Sequence, residues 1–156
     1  MSDFNTNFKV APPIRSEEHR LSLIEGLKDG TIDCIATDHA PHTIEEKEMD
    51  FINTPCGMIG LESAFALSHT VLTKAGASTE QVIGWFTDKP AQIMGFPQKS
   101  IEENKPANIN IIDPEEKWEF KPEHIYSRSK NSPMLGMTFK GRIKQTLSGK
   151  NTFIAC

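Results

Sequence analysis

A short apolar run, Ile32-Asp33-Cys34-Ile35-Ala36, reads as a buried strand of the parallel-sheet kind, and it stops in a cluster of titratable side chains, Thr37-Asp38-His39-Ala40-Pro41-His42. No other feature constrains the fold as much. A helix precedes the run. Ser16 offers an N-cap, Glu17 and Glu18 suit its first turn, Leu21, Ile24 and Leu27 recur on one face, and Gly30 is a C-terminal stop. Before that helix, Asn7-Phe8-Lys9-Val10 reads as a strand stopped by Pro12-Pro13, which lack ladder donors. The order strand, helix, strand is that of an α/β fold. In a β/α barrel, residues at the C-terminal ends of strands face the active site.

Beyond the polar cluster, the stretch from about Thr43 to Ile59 reads as a long irregular loop, and loops of that length are usually functional or disordered. Helical periodicity then returns, with Leu61, Ala64, Phe65, Ser68, Val71, Leu72 and Ala75 forming one stripe that Gly76 closes. Ser78 and Gln81 match a capping box for a short helix carrying Val82, Ile83 and Phe86, and Pro90 opens a further turn or two. After about Lys99 the texture becomes β-rich. Asn108–Ile112 reads as a strand ended by Asp113-Pro114. Met137, Phe139, Ile143 and Leu147 mark a half-exposed antiparallel strand, which turns at 148–151 toward Thr152-Phe153-Ile154. The expected division is residues 1–99 and residues 100–156.

The chain's 156 residues and 37% hydrophobic content suit one ordinary domain or a piece of a larger one. With a formal net charge of −4 and no basic stripe, nucleic-acid binding has no electrostatic basis. No leader-like segment or run of membrane-spanning length is present, so a cytoplasmic location with no membrane partner is expected. Cys34, Cys56 and Cys156 are odd in number and form no CxxC pair, which fits neither a disulfide framework nor a thiolate zinc site.

Asp38 can bind a hard or borderline cation or carry a proton to and from water, and His42 can orient a substrate carboxylate or oxyanion. Taken alone, an aspartate after a strand is equally an N-cap or a structural acceptor, and His39 equally a packed, hydrogen-bonded histidine. The segments around them narrow the choice. Ile35 through His42 resembles the TDHAPH segment of dihydroorotases of the amidohydrolase superfamily. Phe8 through Arg15 resembles their K-x-N-P-P-L-R segment, and Pro55 through Glu62 their P-F-G-I-x-G-L-E segment. Lys89-Pro90-Ala91 is similar to their N/K-P-A helix. Pro106 through Asp113 resembles the strand returning to their second domain, and Ser129 through Gly136 resembles S-x-N-[ST]-P-x-x-G. These segments occur in family order along nearly the whole chain.

The resemblance implies the C-terminal part of a metal-dependent amidohydrolase TIM barrel, its last two β/α units, plus part of a small β-sandwich domain. It implies reversible hydrolysis of dihydroorotate to N-carbamoyl-L-aspartate in pyrimidine synthesis, with one or two zinc ions. Asp38 would be both metal ligand and catalytic acid/base, and His42, Cys56 and Gly57 would hold substrate. Ala11 stands where many members carry a substrate-binding asparagine, and alanine offers no donor. The histidines are His19, His39, His42, His69 and His124, with no HxH pair among them. Most metal ligands are therefore expected outside this chain, with the isolated fragment inactive. A homodimer or an aspartate transcarbamoylase partner is consistent with the family. Three other readings stay open: an allantoinase or dihydropyrimidinase, a non-catalytic pseudo-dihydroorotase that supports a partner, and a self-contained α/β domain without a site.

Overall fold

The computed structural model describes residues 4–97 and 100–154, so Cys156 and the boundary at Lys99 lie outside the described residues. Helices occupy the first two thirds and an antiparallel sheet the rest. Helix α1 (Glu17–Asp29) follows Ser16 and ends at Gly30 in the left-handed conformation. Its face is narrower than the periodicity predicts, since Ile24 is buried but Leu21 is exposed. Helix α3 (Ala64–Lys74) begins later than its stripe, leaving Leu61 outside the helix and exposed. Helix α4 (Thr79–Phe86) carries the expected Ser78–Gln81 capping box, and α5 (Asp88–Ile93) follows directly.

Two expected strands take other forms. Thr6–Phe8 is a 3-10 turn, whose N-cap Asn5 accepts from the Asn7 N–H. Residues 33–40 belong to no strand or helix, and no ladder partner lies beside them among the described residues. Other groups hold this segment: Ile35 N–H donates to Trp85 O at 3.0 Å, and Ala40 N–H to Met58 O at 2.9 Å. The stretch expected to be irregular contains a helix, α2 (Ile44–Lys47), started by a capping box between Thr43 and Glu46.

The sheet has the order β1-β2-β3, with β1 (Ala107–Glu119), β2 (Thr138–Gly149) and β3 (Asn151–Ile154) all antiparallel. Asp113-Pro114 does not end β1. The Asp113 carboxylate accepts from the N–H groups of Glu115 and Glu116, the strand bulges, and pairing resumes at Lys117 opposite Lys140.

One apolar cluster joins Ile24, Leu72, Ala77, Val82 and Trp85 between the helices, with Ile35 packed against it. A second joins Ile59 and Ala66 to Phe120, Ile125 and Phe139, tying the site loop and α3 to the sheet. Between the clusters sits His69, fully buried. Its Nδ1 faces Lys140 O at 3.0 Å and its Nε2 faces Thr79 Oγ1 at 3.0 Å. A carbonyl can only accept, so Nδ1 donates to it, and Nε2 meets the Thr79 hydroxyl. His69 thus bridges α3, α4 and β2.

Candidate active site

Asp38 lies within residues 33–40, at φ 45°. Aspartate is among the few side chains that tolerate this left-handed region. Its carboxylate is exposed and makes no hydrogen bond or ion pair with any described residue. His39, its neighbour, is fully committed to structure on one side. Its Nδ1 accepts from Gly60 N–H at 3.1 Å and Leu61 N–H at 3.3 Å, clasping the segment to the start of the next helical region.

His42 is held at every polar atom. Its Nδ1 faces Glu46 Oε2 at 3.3 Å, and its Nε2 faces Cys56 O at 3.1 Å. Both partners are acceptors. Its backbone N–H donates to Asn131 Oδ1 at 3.2 Å, and its carbonyl lies against Ser129 Oγ, whose single hydrogen it shares with Asn131 Oδ1. Glu46 also takes the Thr43 N–H at 2.8 Å. That backbone bond first, and the His42 ring after it, hold the Glu46 carboxyl below the usual carboxylate range.

Gly57 closes over this ring. At its φ of 141°, a Cβ would fall 2.7 Å from Ala40 Cβ and 2.8 Å from His42 Nε2, so only glycine fits. Its N–H donates to Lys9 O at 2.8 Å. Its carbonyl accepts from Lys47 Nζ at 3.1 Å and Asn131 Nδ2 at 3.3 Å. Lys47, 7% exposed, also donates to Pro55 O at 3.0 Å. Burial pulls its ammonium below the usual lysine range. Cys56 is exposed, and Cys34 only partly buried.

Thus His42, Cys56 and Gly57 are in direct contact, and Asp38 stands free four residues before His42. Ala11 is exposed, two residues beyond the Lys9 carbonyl that binds Gly57, and touches none of the other three through a hydrogen bond. Sequence reasoning passed over Glu46, Lys47 and Asn131. The Thr43–Glu46 spacing was a readable capping signal, but nothing in the sequence marks Lys47 as buried. No group of three or more His, Cys, Asp or Glu side chains able to hold a metal occurs among the described residues.

A helical layer backed by a small antiparallel sheet has a counterpart among known proteins. The chain belongs to the amidohydrolase family, which it matches over residues 9–150. Members of that family are in general metal-dependent. Within the family, the sequence is 44% identical over 146 residues to the dihydroorotase of Halalkalibacterium halodurans, covering 93% of this chain and 34% of that protein. It is 46% identical over 144 residues to the dihydroorotase of Bacillus cereus, covering 92% of this chain and 34% of that one. Among solved structures, the L-hydantoinase (dihydropyrimidinase) of Arthrobacter aurescens superposes with a TM-score of 0.84 at 30% identity, over 97% of this chain and 36% of its own. The chain therefore spans about a third of the length of the relatives it matches.

Proposed function

We propose that the protein carrying this chain is a dihydroorotase, which closes and opens the dihydroorotate ring in pyrimidine synthesis with zinc as its metal. The observation that carries this reading is the 44–46% identity to dihydroorotases across almost the entire chain, including the segment that bears Asp38 and His42. The helical region would then be the last two β/α units of the barrel, and the strands part of a small β-sandwich domain.

Each residue has a task that its geometry permits. Asp38, exposed and without a protein partner, suits a single carboxylate ligand of a metal site completed by other parts of the protein. When bound, the metal polarises the ring carbonyl and makes water a stronger nucleophile. The Asp38 carboxylate takes a proton from the attacking water and passes it to the leaving ring nitrogen. His42 receives the substrate carboxylate. Of its two acceptors, the Cys56 carbonyl is neutral and the Glu46 carboxylate is charged, so an incoming carboxylate displaces the Cys56 carbonyl more readily. The Cys56 and Gly57 backbone borders the ring. Ala11 adds only a methyl group at the rim.

One observation favours a second reading. The likeness to the L-hydantoinase of Arthrobacter aurescens, with Ala11 lacking a donor, fits a cyclic amidohydrolase acting on a hydantoin-type ring. The two are separated by assaying the whole protein with dihydroorotate, hydantoin, dihydrouracil and allantoin in parallel. Selective turnover of dihydroorotate is expected. Preference for a ring without a carboxylate would replace the dihydroorotase reading with the hydantoinase one.

A further inference from the structure

We infer that Asn131, in the segment that leads into β2, is a positioning residue that sets His42 and the Cys56–Gly57 loop in place, so that the β-rich region controls the substrate end of the site. The inference rests on the dihydroorotase reading only for the substrate used in its test.

Asn131 is 6% exposed. A primary amide offers two donor hydrogens and two acceptor lone pairs, and burial makes any unused one costly. All four have partners here. The Nδ2 group donates to Ala40 O at 3.1 Å and to Gly57 O at 3.3 Å. The Oδ1 atom accepts from His42 N–H at 3.2 Å and shares the single Ser129 hydroxyl hydrogen with the His42 carbonyl. The backbone carbonyl of the same residue accepts from Ile59 N–H at 3.1 Å.

The pairing with Ala40 O and His42 N–H has a particular meaning. Those two groups flank Pro41 on a segment that has no neighbouring strand among the described residues. A single side chain supplies the acceptor and donor that a neighbouring strand would otherwise provide. Its second donor reaches Gly57, whose backbone closes over the His42 ring. Because one planar amide spans both, the separation between the His42 backbone and the Gly57 loop is fixed by the geometry of Asn131. Asp38 is not in this network, and the clasp beside it runs through His39 Nδ1 instead. Loss of Asn131 should therefore loosen the substrate end and leave the proton-carrying end in place.

The test uses the whole protein with Asn131→Ala and with Asn131→Asp, which keeps the size but loses both donors. Two quantities are read: KM and kcat for dihydroorotate, and hydrogen exchange at the amides of His42, Gly60 and Leu61. The expected result is a KM raised by about tenfold or more with kcat within about threefold. Exchange at His42 should accelerate by about tenfold or more while Gly60 and Leu61 keep their protection. A variant that folds with unchanged KM overturns the inference and leaves the dihydroorotase reading intact. Should the unmodified protein not turn over dihydroorotate, that reading fails and exchange alone decides: selective acceleration at His42 upholds the positioning role, and uniform or no acceleration overturns it. Should neither variant fold, the unmodified protein decides in the same way. Among the described residues the His42 amide has only Asn131 Oδ1 as its acceptor, so protection there upholds the role and free exchange overturns it.

Discussion

Asp38 and Glu62 are two carboxylates close in sequence that the fold treats in opposite ways. Asp38 sits in a left-handed conformation that aspartate tolerates, exposed and with no partner among the described residues. Asp38→Asn keeps the shape and removes both the anionic ligand and the proton carrier. In the whole protein it is expected to lower kcat for dihydroorotate by about 10²–10⁴-fold. Its melting temperature should be unchanged, because no described contact is lost. A variant that retained turnover would remove Asp38 from the proton path. Glu62, by contrast, has one oxygen engaged, since its Oε1 accepts from Ser127 N–H at 2.7 Å and from Ser127 Oγ at 2.5 Å, while its Oε2 is buried without a hydrogen-bond partner among the described residues. Burial pushes its carboxyl up, but these hydrogen bonds outweigh burial and leave it below its ordinary value of 4.5. A carboxyl depressed on folding stabilises the protein above its unfolded value, and that contribution is lost as pH falls through the folded value. Unfolding by urea below about pH 4.5 should therefore show a shallower loss of stability for Glu62→Gln than for the unmodified protein. Equal slopes would show that Glu62 does not contribute to the acid limb.

Between elements, the joint of α3 with β2 depends on one close approach. Gly141 has φ 92°, and a Cβ there would lie 2.6 Å from His69 Nδ1. Gly141→Ala must push the buried imidazole off Lys140 O, and about 1–3 kcal/mol of destabilisation is expected in denaturant unfolding. An unchanged midpoint would mean that α3 can slide on the sheet without cost. This joint also shows where sequence reasoning reaches and where it stops. Helices α1, α3 and α4 were legible because period and caps are local: Gly30 and the Ser78–Gln81 pair act on residues beside them. His69 sits on the same helical stripe, yet its burial depends on Lys140 and Thr79, which lie elsewhere in the sequence. Residues 32–36 have strand composition, but a strand needs a paired neighbour, so the segment is not a strand. Asp113-Pro114 carries a turn signal that is locally correct, since the carboxylate does cap two N–H groups. The sheet nevertheless continues through it because Lys117, Trp118 and Glu119 recover their pairing with β2. At the site, the family resemblance drew attention to His42 and Gly57, and the structure brings them into contact. The contacts of Lys47 and Asn131 with the backbone around Gly57 could not be read from spacing, because their partners lie elsewhere in the sequence.

At the scale of the molecule, the chain spans about a third of the relatives' length and exposes surfaces that a folded protein rarely leaves open. Leu21 and Leu23 on α1 and Phe153 and Ile154 on β3 are all more than half exposed or at half exposure. An open groove of about 660 Å³ runs from Leu61 and Phe65 to Trp118, Ile143 and Phe153. Large apolar side chains left exposed in this way favour association. A (β/α)₈ barrel takes about 250 residues, and its catalytic groups come from the ends of several strands. The described residues contribute Asp38 at the candidate site and no cluster of metal-binding side chains. The 156 residues expressed alone should therefore bind a hydrophobic dye, self-associate in sedimentation, and fail to retain stoichiometric zinc after dialysis. The whole protein should do the reverse on all three counts. The zinc measurement discriminates most sharply, because apolar exposure can be relieved by any partner whereas coordination needs particular ligands at particular distances. Retention of one equivalent by the isolated chain would mean that its own side chains rearrange into a metal site, and Asp38 would no longer be the sole ligand it brings.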